Sequence, residues 1–185
     1  MPHRVCPWWI GYFLASPVRR LWQDPRAIVS PFVREGMVVL EPGPGMGFFT
    51  LELARLVGPE GRVVAVDVQP RMLSALRRRA ERRRLAGRID ARLAGPDGMA
   101  LGDLAARVDF VLAMAMVHEV PDPARFFGEI AAAMKPGAKL LLAEPRGHVD
   151  VPAFAATLEL AAAHGLGVVG RPVIAASHAA LLARN

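Results

Sequence analysis

Met37-Val-Val-Leu40 is a continuous apolar run that gives way at once to Glu41-Pro-Gly-Pro-Gly-Met-Gly47 and then to a helical pattern. A run apolar at every position reads as a strand buried on both faces, the situation of a parallel sheet. The helical pattern places Phe49, Leu53, Leu56 and Val57 on one face between residues 48 and 57, and Gly58-Pro-Glu-Gly61 stops it. Arg62-Val-Val-Ala-Val66 repeats the strand pattern and ends at Asp67. Further strands are predicted over 88–93, 108–113 and 139–143, with helices over 70–85, 123–134 and 151–164. The tail carries two more strand candidates, around Val168-Val169 and over Ala179 to Leu182, read as a hairpin. Repeated strand–helix alternation predicts an α/β fold, a mostly parallel sheet with helices on both faces.

The 185 residues, 53% of them hydrophobic, suit one domain with a sizeable core. The alternation occupies residues 36–185. Residues 1–35 are irregular, proline-punctuated and aromatic, with Trp8, Trp9, Tyr12, Phe13, Trp22 and Phe32. They read as an extension that covers the domain as a lid, packs on its surface or touches a membrane face. Cys6 stands alone, which excludes an internal disulfide and a cysteine-based zinc site. No apolar run approaches the ~18 residues of a membrane span. The apolar stretch 5–15 contains Pro7 and the Trp8-Trp9 pair and lacks a small-residue cleavage site, which argues against a secretory signal. The chain therefore reads as cytoplasmic. Its net charge of +6 comes almost entirely from arginine, since Lys135 and Lys139 are the only lysines. That balance permits anionic partners without identifying one.

In sheets of this kind ligands sit outside the carboxyl ends of the strands. Gly43, Gly45 and Gly47 follow the first strand there, and glycine lets the backbone turn tightly and approach a ligand without Cβ interference. A dinucleotide fingerprint would need glycine at position 48, where Phe48 stands. Asp67 ends the second strand and can accept hydrogen bonds from both hydroxyls of a ribose. Together these features point to an adenosine-containing ligand and away from NAD.

With these motifs the sequence resembles the class I S-adenosylmethionine-dependent methyltransferases. Glu41, Gly43, Gly45 and Gly47 match their acidic residue followed by G-x-G-x-G, and Asp67 matches their second acidic position. The stretch Val108–Glu119 is similar to their fourth strand, and Met134-Lys-Pro-Gly-Ala138 to their L-K-P-G-G turn, with Ala138 in place of the second glycine. The resemblance covers residues 35–185 and is closest to the small-molecule, type 11 branch. It implies a Rossmann-like sheet of seven strands with the last one antiparallel. It also implies S-adenosyl-L-methionine as cofactor and S-adenosyl-L-homocysteine as product. By the same resemblance the glycine loop would wrap the methionine and ribose parts and Asp67 would hold the ribose. Asp97 would meet the adenine amino group, and Ala113, at the end of the fourth strand, would complete the cofactor set.

Methyl transfer from a sulfonium is an in-line displacement, so much of the rate comes from holding the nucleophile close and collinear. A general base is needed only where the acceptor must lose a proton. His118, after the fourth strand, and His148, in Glu144-Pro-Arg-Gly-His148, are the candidate catalytic residues, with Glu119 and Glu144 as neighbours. A purely pocket-shaping role for His118 and Glu119 is the competing reading. His118, Glu144 and His148 lack tight ligand spacing, so no metal is expected. The expected acceptor is a small, fairly apolar molecule, with the pocket placed between His118, His148 and the N-terminal aromatics. A second reading is an RNA methyltransferase using Arg77-Arg-Arg79 and Arg82-Arg-Arg84. Those arginines read mostly as a solvated helix face. Met114-Ala-Met-Val117 also stands where many nucleic-acid amino methyltransferases carry N/D-P-P-Y/F. A third reading is a cofactor-binding regulatory module without transferase activity.

Overall fold

The computed structural model describes residues 23–96 and 98–185. The chain divides into two compact units, one ending at Met99 and the other running from Ala100 to Asn185.

In the first unit α1 (Pro25–Val29) precedes β1 (Val38–Pro42), α2 (Thr50–Leu56), β2 (Arg62–Asp67), α3 (Pro70–Arg82) and β3 (Ile89–Leu93). Among its described residues, the stretch expected to be irregular up to residue 35 thus contains a short helix. Asp24 caps it, accepting the Arg26 N–H at 2.9 Å, and Pro25 supplies a preset φ at its first position. Strands β1 and β2 run parallel with Glu41 opposite Ala65, and β2 runs parallel to β3 with Asp67 opposite Leu93. Val39, Leu40, Val63, Val64, Leu53 and Leu76 are fully buried. Helix α3 ends three residues before the predicted 85, and Arg84 takes a left-handed φ of +57° there. The aromatic residues Trp8, Trp9, Tyr12, Phe13 and Trp22 lie outside the described residues.

In the second unit β4 (Val108–Met114), α4 (Pro123–Ala133), β5 (Met134–Pro145), α5 (Val151–Ala163), β6 (Leu166–Gly170) and β7 (Ser177–Arg184) follow in turn. Asp122 and Asp150 cap α4 and α5. The Lys135-Pro-Gly137 turn ends α4 as expected, yet extended backbone resumes at once. Val108 pairs with Met134 and Phe110 with Lys139, so residues 135–138 form an excursion inside β5, with Gly137 at φ +76°. Strand β7 is antiparallel to both β5 and β6, which makes the predicted tail hairpin. Phe110, Leu112, Phe127, Ile130, Leu140 and Leu141 form the unit's fully buried core.

The strand order is β3-β2-β1-β4-β5-β7-β6 in one seven-stranded sheet. The α/β fold class and the single antiparallel β7 agree with the sequence-based expectation. Among the described residues no helix is long and apolar enough to cross a membrane.

Candidate active site

At the carboxyl end of β1 in the first unit, Glu41 is buried at 3% exposure. Among the described residues its Oε2 has no hydrogen-bond partner, and the buried Thr50 Oγ1 also has none. Burial pushes the Glu41 carboxyl up to about 8, with the Asp67 charge adding to the rise. The nearby Thr50 hydroxyl partly opposes this without completing a hydrogen bond of ordinary geometry. A buried carboxyl left unpaired is costly, so its free oxygen marks where a donor or cation would be welcome.

The glycine loop folds back on the end of β2. Gly43 N–H donates to Val66 O at 2.9 Å, and Gly47 N–H to Pro44 O at 2.9 Å. Asp67 ties the loop to the strand end, with Oδ2 accepting Gly45 N–H at 3.2 Å and Oδ1 accepting Gln69 N–H at 2.8 Å. Each carboxylate oxygen carries two acceptor sites. Two glycines do different work. At Gly47 (φ +85°) a Cβ would overlap Leu76 Cδ1 of α3, so the loop is packed hard against the helix. At Gly45 (φ +54°) a Cβ would meet nothing within 4 Å, leaving open space beside the backbone. An orphaned acid, an orphaned hydroxyl and an open glycine face fit a polar, cationic, ribose-bearing cofactor. No geometric misfit to it is present in this loop.

The second unit brings together another group of predicted residues. After β4, Ala115 takes φ +56° and its N–H donates to Ala143 O at 2.7 Å, turning the chain into a 3-10 turn over Val117–Glu119. Glu144, 1% exposed at the end of β5, receives that turn. Its Oε1 accepts the N–H groups of Met116 (3.3 Å) and Val117 (2.8 Å), and its Oε2 pairs with His118 Nδ1. The hydrogen bond and charge of Glu144, with a smaller contribution from Glu119, hold the His118 imidazolium above its ordinary range, while burial works against them. His118 Nε2 lies 3.9 Å from Glu119 Oε1. The His148 ring meets the His118 ring edge to face, with centroids 5.4 Å apart. A carboxylate that fixes one ring nitrogen directs the other toward proton exchange.

Glu41, Gly43, Gly45, Gly47 and Asp67 thus gather in the first unit, and His118 and His148 in the second. Ala113 is fully buried within β4, paired with Leu142. Asp97 lies outside the described residues. The arginine run of α3 is mostly exposed, as expected, with one exception. Arg79 is half-buried and donates from Nη1 to Met46 O at 2.5 Å, so it braces the glycine loop. The sequence offered no signal that separated it from its five neighbours. Thr50 was missed as well, because a threonine opening a helix reads as ordinary.

Residues 33–166 match the family model of a methyltransferase domain. The ubiquinone biosynthesis O-methyltransferase of Methylocella silvestris is 35% identical over 76% of this chain and 53% of its own length. The ubiquinone/menaquinone biosynthesis C-methyltransferase UbiE of a Marinomonas species is 27% identical over 71% of this chain and 51% of its own. The chain therefore spans about half the length of these curated relatives. In fold, it is similar to a SAM-dependent methyltransferase from Aquifex aeolicus, with TM-score 0.85 and 23% identity over 97% of this chain and 98% of that one. With the matched domain covering most of the sheet and the glycine loop and acidic strand ends in their expected order, this chain belongs to the class I S-adenosylmethionine-dependent methyltransferases.

Proposed function

We propose that this protein transfers the methyl group of S-adenosylmethionine to a small, fairly apolar acceptor that loses a proton in the reaction. The observation that carries this reading is the Glu144–His118 pair, a buried carboxylate holding one nitrogen of a half-buried imidazole. When bound, the cofactor supplies an activated methyl group on a positively charged sulfur. Everything else asked of the chain is binding, orientation and proton handling.

Glu41 and the glycine loop hold the cofactor's amino-acid part, and the open face of Gly45 admits its backbone-like atoms. The ammonium of that part is a suitable partner for the orphaned Glu41 Oε2. Asp67 keeps the loop closed through Gly45 N–H and, as the acidic end of β2, accepts the ribose hydroxyls. Asp97 meets the adenine, and Ala113 lies beside the cofactor. His118 takes the acceptor's proton at Nε2 while Glu144 fixes Nδ1, and His148 lines the acceptor's path. Residues 1–35 cover the acceptor. Relatives named for ubiquinone and menaquinone biosynthesis support a small acceptor.

The test is transfer of labelled methyl from S-adenosylmethionine to a panel of phenols, catechols and small amines, with His118→Ala beside the parent. Turnover that collapses in the variant while cofactor affinity holds supports the reading. Cofactor binding with no transfer to any acceptor, including RNA, would favour a regulatory module. Salt-sensitive transfer to RNA, abolished by alanine at Arg78, Arg82 and Arg83, would favour the nucleic-acid reading.

A further inference from the structure

The second unit contains a cavity of about 240 Å³ that involves neither member of the Glu144–His118 pair. Arg146, Val151, Phe154, Arg171, Ile174 and His178 contribute to its lining, and no acidic side chain does. Such a lining is apolar with two fixed positive charges. It lies just below the ~300 Å³ at which drug-sized pockets begin, which suits a compact ligand.

The two arginines are differently prepared. Arg146 is tethered: its N–H donates to Ala176 O at 3.0 Å and its Nε to Ser177 O at 3.2 Å. Those bonds leave its two terminal nitrogens without partners among the described residues. Arg171 makes no ion pair or hydrogen bond at all among the described residues. In the same lining the ring of His178 stacks on Phe154, with centroids 5.6 Å apart and planes at 30°. Val173 and Val151 of the same lining are 98% and 66% exposed, apolar surface that a ligand would cover.

The cavity is coupled to the candidate proton-handling pair by strand register. Glu144 of β5 stands directly opposite His178 of β7. Residues so opposed project to the same face with Cβ atoms ~5 Å apart. The residue that holds His118 is therefore the cross-strand neighbour of the residue that stacks on Phe154. The loop after β5 adds a second link, carrying Arg146 toward the cavity and His148 toward His118 only two residues later.

We propose that this cavity binds the carboxylate end of a small aromatic acid, its carboxylate gripped by Arg146 and Arg171 and its ring packed against the His178 ring that Phe154 backs. A guanidinium presents a planar pair of donors that matches a carboxylate, and two of them on an apolar floor select an anion attached to a ring. The inference rests on the methyl-transfer reading in taking this acid to be the acceptor or a close analogue of it. Its binding does not depend on that reading.

The test uses the full chain without methyl donor. Naphthalene-2-carboxylate and its neutral counterpart 2-naphthylmethanol are titrated into ¹⁵N-labelled protein and followed by amide shifts. The carboxylate should bind about tenfold or more tightly than the alcohol, the scale of a charge-assisted hydrogen bond, and should shift the amides of Phe154, Ile174 and His178. Arg171→Gln should erase the preference, Arg146→Gln should weaken it, and Arg78→Gln on the exposed face of α3 should leave it intact. Equal affinity for the two probes, no binding of either in the millimolar range, or a preference that survives Arg171→Gln overturns the proposal. Carboxylate-selective binding with no methyl transfer to any aromatic acid would leave the cavity's assignment standing and remove the acid as the methyl acceptor, while the transferase reading stands or falls on the acceptor panel above.

Discussion

One oxygen of the Glu144 carboxylate holds His118 Nδ1 while the other accepts the Val117 N–H at 2.8 Å. The same buried acid therefore sets both the ring's orientation and the turn that presents it. Because Glu144 is 1% exposed, solvent screens this arrangement little.

That arrangement gives a pH profile. If His118 acts as base, it must be neutral, so methyl transfer to a protonated acceptor should rise with pH through a value above the ordinary imidazole 6.5. Glu144→Gln keeps an acceptor for Val117 N–H but removes the charge, and should move the ascending limb back toward the ordinary value. The stability effect has the opposite direction. A histidine with a raised folded-state value stabilises the protein at pH below its unfolded value, and that contribution fades as pH rises through the folded one. The Tm gap between parent and His118→Gln should shrink accordingly on going alkaline. A limb unmoved in Glu144→Gln would separate His118 from proton transfer.

Glu41 gives a second pH signature with the opposite origin. Its carboxyl titrates near 8 because burial disfavours its charge, so the folded state holds a proton the unfolded state has already released. Stability of the free protein should fall as pH rises from about 4.5 to about 8, and Glu41→Gln should flatten that fall. Pairing with the cofactor's ammonium would reverse the preference. Cofactor binding near neutral pH should then release a proton, visible by calorimetry in buffers of different ionisation enthalpy. The release should vanish in Glu41→Gln.

The two loop glycines should fail differently on substitution. Gly45→Ala adds a methyl to open space at φ +54°, so the fold should lose only the left-handed backbone cost of about 1–2 kcal/mol. Its methyl projects where the cofactor is proposed to lie, and affinity should fall sharply. Gly47→Ala drives a methyl into Leu76 and should destabilise the first unit beyond the backbone cost. Thermal unfolding and cofactor titration of both variants separate the two cases. Similar behaviour in both assays would contradict the division of labour.

Asp67 joins structure to binding. Asp67→Ala removes the acceptors for Gly45 N–H and Gln69 N–H as well as those proposed for the ribose. It should weaken cofactor binding by about 1.5–3 kcal/mol, the scale of hydrogen bonds to a charged group. Asp67→Asn keeps one acceptor oxygen and should lose less. Unchanged affinity in a folded Asp67→Ala protein would remove Asp67 from the ribose.

The elements and the first glycine loop were legible in the sequence because their signals are local. Apolar runs such as Val63–Val66 sit buried on both faces, and Pro25, Pro70, Pro123 and Pro152 stand in the first turns of helices. Gly43, Gly45 and Gly47 take the positive φ that a tight loop needs. Motif order carried the family in the same way, since Glu41 and Asp67 end consecutive strands. What the tertiary structure decided is which side chains meet across long sequence separations. Arg79 reaches Met46 O, 33 residues away, while its identical neighbours face solvent. Glu144 finds His118 across 26 residues, and register alone sets His178 opposite Glu144. No pattern in a single stretch of chain contains such information, because burial and partnership arise only when strands are laid side by side.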